Sequence, residues 1–467
     1  MSAREIFDFV VIGAGPVGEN LAQYATEGTD LTAALVEREL VGGECSYYAC
    51  MPSKALLRPV EVAAAAKHLE GVGTPQIEPT GLLVRRDYWV SYYDDASQVA
   101  WARGAGLAVV RGEGRLVGER LVEVASATGE RRLEARQAVV LATGSEPHIP
   151  ELFVPARPWG SRDATGVREV PARLAIVGGG VVACEAAVWM AGLGSLVTLL
   201  VRDDRLLGRL EPFVGDLVAR SLVDAGVDVR LGASITECVR EDARDTGIGR
   251  VHGGPVRLMV DAAPLVADEC LVATGRRPRL DAVGLDSVGL DAERVLGGAL
   301  PDWLHVVGDA GGGPQTTHWG KYGARVLGEQ LAAQASGRPL KATPADVPVP
   351  QVVFTDPQVG AVGLTEAQAR ERYGEVVVVN VPWTAAAGAA LLRDDARGAA
   401  QLVVEPNQRR LLGATFVGPD AGELVHAATI AIVGRLPTDV LRHAVPCYPT
   451  ASELWLRLLE ELPRDWR

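Results

Sequence analysis

Lysine is almost missing from this chain. Four residues, Lys54, Lys67, Lys321 and Lys341, stand against 42 arginines, so each lysine that remains is more informative than usual. Aromatic residues are also sparse, at 5% of 467 residues. An excess of basic charge is lacking: the net charge is −13, and the acids are dispersed rather than gathered in a tail. That weighs against a nucleic-acid binder and against a protein held electrostatically on an anionic membrane. Cysteine is limited to six residues, and only Cys45 and Cys50 are close together. A secreted disulfide framework would need more of them in a shorter chain, so a reducing, cytoplasmic setting with one special pair is expected. Cys184, Cys238, Cys270 and Cys447 read most simply as small buried apolar residues.

No secretory leader is visible, because Met1-Ser-Ala-Arg4 runs straight into a strand-like segment. One long apolar run exists, Leu174 to Val201. It holds Glu185 and several glycines, and a strand-turn-helix break explains it better than a membrane span. With 48% hydrophobic and 22% charged residues, the chain can bury large cores, and its length suggests about three domains.

What is present begins with an internal repeat. Phe9-Val-Val-Ile-Gly-Ala-Gly-Pro-Val-Gly-Glu-Asn-Leu-Ala22 aligns with Leu174-Ala-Ile-Val-Gly-Gly-Gly-Val-Val-Ala-Cys-Glu-Ala-Ala187. Each copy is an apolar strand, a Gly-rich turn and a helical segment. In a βαβ unit such a turn sets phosphates at a helix N-terminus, where free N–H groups and the helix dipole favour negative charge. The three slots are Gly13, Gly15 and Gly18 in the first copy, with Pro16 at the helix start. In the second they are Gly178, Gly180 and Ala183, with Val181 at the helix start. A single match of this kind is weak; two in the same setting are not.

The residue ending the next strand separates the two sites. Ala33-Ala-Leu-Val-Glu37 ends on an acid, which accepts from ribose hydroxyls and repels a 2′-phosphate. Val197-Thr-Leu-Leu-Val201 ends on valine, with Arg202, Arg205 and Arg209 behind it, which suits a 2′-phosphate. The first site therefore reads as FAD and the second as NADPH, with NADH the alternative. Leu141-Ala-Thr143-Gly144 and Val272-Ala-Thr-Gly275 are two further strand ends of one type, and Leu304-His-Val-Val-Gly-Asp309 is a third. From about residue 346 the pattern changes to alternating strands with two helical runs, an α+β arrangement.

Between the two fingerprints lies Cys45-Ser-Tyr-Tyr-Ala-Cys50, preceded by Gly42-Gly43-Glu44 and followed by Met51-Pro52-Ser53-Lys54. Two cysteines at this spacing look like a redox-active disulfide. A thiolate, not a thiol, would attack a substrate, so something must favour the anion at neutral pH; a helix N-terminus following Cys45, and Lys54, are candidates.

Together these motifs resemble the flavin-dependent pyridine nucleotide–disulfide oxidoreductases, and the match extends to Val349-Pro-Gln-Val-Val-Phe-Thr-Asp-Pro-Gln358, similar to the entrance of that family's dimerisation domain. The resemblance implies an α/β fold: two Rossmann-like dinucleotide-binding domains plus an α+β C-terminal dimerisation domain. It places an FAD-binding domain at 1–150 and 274–345, an NAD(P)-binding domain at 151–273 and a dimerisation domain at 346–467. It implies that Cys45 attacks the acceptor and Cys50 lies against the flavin. Lys54 would pair with Glu185 beside the flavin, Gly114 would meet the adenine, Asp309 the ribityl chain, and Thr316 and His318 would follow in the same segment. Gly43, Thr143 and Gly144 fall to FAD, and Gly275 to the nicotinamide coenzyme. The expected partners are a small-molecule or protein disulfide, or a quinone, and a second copy of the chain sharing the active site. No metal site, nucleic acid or membrane is expected.

One segment departs from the family. Its disulfide reductases carry a histidine, supplied by the partner subunit, where Cys447-Tyr448-Pro-Thr-Ala-Ser-Glu453 has Tyr448; the orienting acid, Glu453, remains. Tyrosine, with a pKa of about 10, is a poorer proton donor to a leaving thiolate than histidine at about 6.5. His443 could replace it only through an unusual turn, and Cys447 only as a third exchanging thiol. The family's mercuric reductases also have tyrosine there, but the terminal Leu462-Pro-Arg-Asp-Trp-Arg467 lacks their adjacent cysteine pair, which weighs against Hg(II) reduction. A chain without that histidine could also reduce quinones or dyes directly from flavin, or act as a redox-responsive binding flavoprotein of low turnover. If Arg85 to Asp95 is one helix, Tyr88/Tyr92 and Trp89/Tyr93 share faces and, with Tyr47 and Tyr48, would give an aromatic acceptor cleft.

Overall fold

The computed structural model describes residues 4–340, 342–344 and 346–466; the first three residues, on which the reading of the N-terminus bears, and Lys341 lie outside them. The chain divides into two compact units. One comprises Met1–Pro52, Arg86–His148 and Gly275–Pro344, the other Ser53–Arg85, Ile149–Thr274 and Ala345–Arg467.

The first unit is built on a seven-stranded sheet. Strand Arg4–Ile12 pairs in parallel with Ala33–Glu37 on one side and Gly129–Leu141 on the other. Ala108–Arg111 extends the sheet beyond Ala33–Glu37, and Leu304–Val306 pairs in parallel with Gly129–Leu141. The run Phe9-Val-Val-Ile12 is buried on both faces, which is why it is continuously apolar rather than alternating. Helix Pro16–Thr26 lies against the long helix Thr317–Ser336. Gly328 permits the approach: a Cβ there would come within 2.8 Å of Tyr24 Cβ and 2.9 Å of the Leu21 carbonyl oxygen.

The second unit holds a four-stranded parallel sheet in the order Asp228–Arg230, Leu196–Leu200, Arg173–Val177 and Glu269–Val272. The apolar run from Leu174 to Val201 is thus resolved into strand, helix Val181–Gly192 and strand. Among the described residues no helix is long and apolar enough to cross a membrane. The three strands Ile235–Val239, Val256–Val260 and Ala263–Ala267 form a separate antiparallel sheet. Beyond residue 345 a five-stranded antiparallel sheet runs Gln351–Val353, Gln358–Gly363, Arg410–Gly418, Ala399–Glu405, Val377–Pro382, with helix Ala421–Val433 packed on its second and third strands. The architecture is therefore α/β, with two Rossmann-like halves and an α+β C-terminal part.

The aromatic segment differs from expectation. Helix Pro79–Trp89 stops at Trp89, and Ser91, Tyr92 and Tyr93 follow with φ of 49°, 52° and 61°. Three successive left-handed residues break the helical register, so 88/92 and 89/93 do not stack along one face. Tyr93 turns back onto Tyr48, with ring centroids 5.7 Å apart, while Tyr88 and Tyr92 are each 66% exposed.

Trp383 anchors the C-terminal sheet. It is fully buried, its Nε1 donates to the Ala389 carbonyl oxygen at 3.1 Å, and its ring lies flush on Gly418. A Cβ at Gly418 would sit 2.2 Å from Trp383 Cδ2. Gly418→Ala is therefore expected to destabilise the protein by about 2 kcal/mol or more, read as a lower urea midpoint; an unchanged midpoint would show that the ring can move aside.

Candidate active site

The first unit brings the two motif cysteines together around a hydroxyl. Cys45 lies within the short helix Gly43–Tyr47, and Cys50 opens the 18-residue helix Cys50–Lys67. Thr317, the first residue of helix Thr317–Ser336, puts Oγ1 3.1 Å from Cys45 Sγ and 3.3 Å from Cys50 Sγ. Both cysteines are thiols and half-buried. The hydrogen bond to Cys50 and burial raise the Cys45 thiol far above its ordinary value, and the Thr317 hydroxyl, donating to Cys45, opposes this. The long helix starts at Cys50, not after Cys45 as the sequence suggested, so Cys50 is the sulfur placed where a helix dipole favours negative charge.

The dinucleotide turn of this unit sits at strand end Ile12. Gly13 has φ +105°, and a Cβ there would lie 2.3 Å from the Ala142 carbonyl oxygen. A Cβ at Gly18 would lie 2.0 Å from the Gly13 carbonyl oxygen, and Gly43 packs onto Gly15. Gly15 caps helix Pro16–Thr26, with Pro16 in the first turn, where its missing N–H costs nothing. Glu37 closes the turn: its carboxylate accepts from Ala14 N at 2.9 Å and from Glu39 N at 2.9 Å. Gly114 lies over Val36, whose Cγ1 would be 2.8 Å from an added Cβ. Thr143 Oγ1 donates to the Arg279 carbonyl oxygen at 2.6 Å, and Gly144 O accepts from Arg279 N.

Asp309 belongs to a chain of contacts. Ser145 Oγ donates to Asp309 Oδ2 at 2.6 Å, and Arg276 Nε donates to Ser145 Oγ at 2.8 Å. Arg276 also faces Glu44, at 3.7 Å. Thr316 Oγ1 is buried with no partner among the described residues. His318 lies in the first turn of helix Thr317–Ser336.

In the second unit, Lys54 Nζ donates to Glu185 Oε2 at 2.8 Å. Glu185 Oε1 accepts from Phe354 N at 3.0 Å, and the Lys54 ammonium lies 4.6 Å from the centre of the Phe354 ring. The buried carboxylate thus has both oxygens engaged, and the lysine is held between it and an aromatic face. The second Gly-rich turn repeats the first. Gly178 has φ +131°, with an added Cβ 2.4 Å from the Ala273 carbonyl oxygen; Gly180 caps helix Val181–Gly192, and Ala183 is buried in it. Gly275, after the matching strand end, has φ +136° and belongs to the first unit. The side chain of Arg202 is 92% exposed, with Asp203 Oδ1 3.5 Å away. Arg205 Nη2 reaches the Gly208 carbonyl oxygen at 3.4 Å, and Arg209 is exposed.

Residues 443–450 form an irregular stretch. Tyr448 is 77% exposed, and His443 is exposed. Glu453 is buried and accepts from Gly388 N at 3.4 Å; among the described residues no hydrogen bond joins it to Tyr448. Cys447 corrects the expectation of four buried cysteines. It is exposed, because no regular element covers this stretch, whereas Cys184, Cys238 and Cys270 are buried. Burial pushes the Cys184 thiol up to about 12, so it is neutral near pH 7.

The sequence pattern did not single out Thr317, Ser145, Arg276 or Phe354. Phe354 and Thr317 both lie in segments that the motifs mark, but no residue-type signal distinguishes them there.

Two redox-capable thiols beside one dinucleotide turn, with a second turn elsewhere in the fold, describe a dinucleotide-dependent dithiol oxidoreductase. Residues 7–297 match the Pyridine nucleotide-disulphide oxidoreductase family and residues 349–458 its dimerisation domain. The chain belongs to that family. It is 30% identical over 461 residues to the dihydrolipoyl dehydrogenase of Bacillus subtilis, covering 95% of this chain and 96% of the relative. It is 28% identical to a mercuric reductase of Staphylococcus aureus, covering 96% and 81%. In fold it is similar to the HOCl-induced flavoprotein disulfide reductase RclA of Escherichia coli, with a TM-score of 0.82, 23% identity, and 98% and 100% of the two chains covered.

The family is FAD-dependent, with a pyridine nucleotide as electron donor. The first unit fits FAD: Gly13 and Gly18 have room only for backbone, Glu37 is fixed at the edge of their turn, and the buried Thr316 hydroxyl lacks a partner among the described residues.

Glu19, one turn into helix Pro16–Thr26, is buried with Oε1 unpartnered among the described residues. Burial raises its carboxyl from 4.5 to about 7; Lys321 opposes the rise and Glu37 adds to it. The folded protein therefore keeps a proton that the unfolded chain releases above about pH 4.5. The stability this gives is complete below that pH and is lost as pH rises to about 7. Glu19→Gln should match the native protein near pH 4.5 and exceed it by on the order of 3 kcal/mol above pH 8. Urea unfolding across that range checks this; parallel pH profiles would refute it.

Proposed function

We propose that this protein is a homodimeric FAD enzyme that oxidises NADPH and reduces a low-molecular-weight or protein disulfide through Cys45 and Cys50. The observation that carries the reading is the placement of both sulfurs on one hydroxyl, Thr317 Oγ1. Residues 1–150 and 274–345 hold FAD in this reading, 151–273 the nicotinamide coenzyme, and 346–467 the dimer contact. The exposed Ile430, Val433, Val440 and Val445 in the last segment support the dimer.

FAD held at the Gly13–Gly18 turn would supply the two-electron chemistry that reduces the Cys45–Cys50 bond at the expense of the nicotinamide coenzyme. The residues do the rest. Cys45 sulfur attacks the acceptor, forming a mixed disulfide and releasing one thiol. Cys50 sulfur then attacks Cys45 sulfur, closing the pair and releasing the second. Helix Cys50–Lys67 favours the anion at Cys50. Lys54, fixed by Glu185 and Phe354, would offer positive charge to the flavin, and Asp309, oriented by Ser145, would accept from the ribityl chain. In this reading Tyr448 would donate a hydrogen bond to the departing thiolate.

Arg202 supports NADPH over NADH. Its guanidinium is open to solvent, and valine occupies the position that Glu37 holds in the first copy. A second reading, direct reduction of quinones or dyes, is favoured by Tyr448, which is exposed and makes no bond to Glu453 among the described residues.

Anaerobic titration with NADPH tests the main reading: uptake of four electrons per subunit, with loss of the Cys45–Cys50 disulfide, is expected, and uptake of only two would refute it. Cys45→Ser should abolish disulfide reduction; retention of full turnover with a quinone would favour the second reading. Arg202→Glu should lower kcat/KM for NADPH by about tenfold or more while sparing NADH, and an equal effect on both coenzymes would remove the 2′-phosphate assignment.

A further inference from the structure

Arg393, in the second unit, holds two carboxylates at once. Its Nη1 donates to Asp356, 2.7 Å from Oδ1 and from Oδ2. Its Nε and Nη2 donate to Asp395 Oδ1 and Oδ2, at 2.8 Å and 3.1 Å. Asp395 Oδ2 also lies 3.2 Å from His68 Nδ1. The arginine side chain is only 13% exposed. An exposed ion pair adds little to stability. A sheltered guanidinium between two acids is different, because its removal leaves two carboxylates that repel each other. A lysine could not replace it: an ammonium is a point charge, whereas the guanidinium presents donors along two edges.

The two acids belong to segments that meet one helix toward its opposite ends. At the C-terminal end of Cys50–Lys67, Asp394 N donates to the His68 carbonyl oxygen at 3.0 Å, and Asp394 Oδ2 accepts from Glu70 N at 2.7 Å. The loop that carries Asp395 is thereby fixed to the helix end. Toward the other end, Asp356 lies just past Phe354, whose amide and ring hold the Glu185–Lys54 pair. The turn from Phe354 to Gln358 is stiff. Thr355 is buried, its Oγ1 donates to the Pro357 carbonyl oxygen at 2.8 Å, and Gln358 Nε2 donates to Glu61 Oε1 at 2.7 Å. Ser221 Oγ donates to the Asp356 carbonyl oxygen. In so tightly bonded a turn, a displacement of Asp356 is passed on to Phe354 rather than absorbed.

We propose that Arg393 is a positioning residue for Lys54. It clamps Asp356 to the loop at the far end of the helix, the clamp sets the Phe354 turn, and the Phe354 amide and ring keep Glu185 and the Lys54 ammonium in one place. The consequence for FAD rests on the reading above, in which Lys54 offers its charge to the flavin; the consequence for Phe354 does not. An ammonium held in one position favours electron uptake by the flavin more than one that wanders, so the clamp raises the flavin potential.

The test compares the purified holoprotein with Arg393→Met and Arg393→Lys. Hydrogen–deuterium exchange at the Phe354 amide should quicken about tenfold or more in both, while amides in the middle of strand Arg410–Gly418 keep their protection. Asp395→Asn keeps the shape of the acid and leaves Arg393 paired with Asp356, so it is the variant surest to fold; it should quicken Phe354 exchange severalfold. Native exchange at Phe354 in Arg393→Lys or Asp395→Asn would overturn the proposal, as would an equal loss of protection along Arg410–Gly418. The flavin midpoint potential should fall in Arg393→Met, and the fall should vanish when Lys54 is already methionine. An equal fall with and without Lys54 would show that Arg393 acts by another route and would also overturn it. A native potential in Lys54→Met would instead remove Lys54 from the flavin and sink the reading above, while the exchange rates still decide the clamp.

Discussion

A hydroxyl has one proton to donate, and that of Thr317 faces two sulfurs. It donates to Cys45 or to Cys50, never fully to both, so its direction follows whichever sulfur is more negative. The rest of the first unit fixes where that hydroxyl stands. Thr317 begins the helix that Gly328 lets settle onto Pro16–Thr26, and the N-terminus of Pro16–Thr26 is the dinucleotide turn. The thiol pair and the turn are therefore braced by the same two packed helices, and neither can shift far without the other.

The second unit solves a related problem with charge instead of a hydroxyl. Lys54 is one of only four lysines, and it is held by a buried carboxylate whose second oxygen is occupied by the Phe354 amide. A carboxylate engaged at both oxygens cannot swing away, so the ammonium keeps one position. Arginine would present a planar fork rather than a point charge, which accounts for a lysine surviving in so arginine-rich a chain.

Much of this was legible beforehand. The two turns announce themselves because φ near +105° and +131° and a carbonyl 2.3–2.4 Å from any Cβ demand glycine, and Glu37 is marked by its place at a strand end. Thr317 was not legible: Thr316 and Thr317 are chemically identical neighbours, and only the helix start decides which one faces the sulfurs. Ser145 and Arg276 meet through the pairing of Ser145–Pro147 with Arg276–Pro278, a contact between segments far apart in the chain. The aromatic segment misled because helical spacing says nothing of three consecutive left-handed residues, and Cys447 because residue type does not report whether an element covers it.

The first unit is assembled from three separated stretches, and its sheet takes a strand, Leu304–Val306, from the last of them. A nascent chain leaving the ribosome must hold the edge of Gly129–Leu141 open until Leu304–Val306 is made, and the intervening residues include a complete parallel sheet of the other unit. At about 5–20 residues per second, that unpaired edge is exposed for on the order of ten seconds. Until Leu304–Val306 arrives, the edge at Val139–Leu141 is open to pairing with other strands.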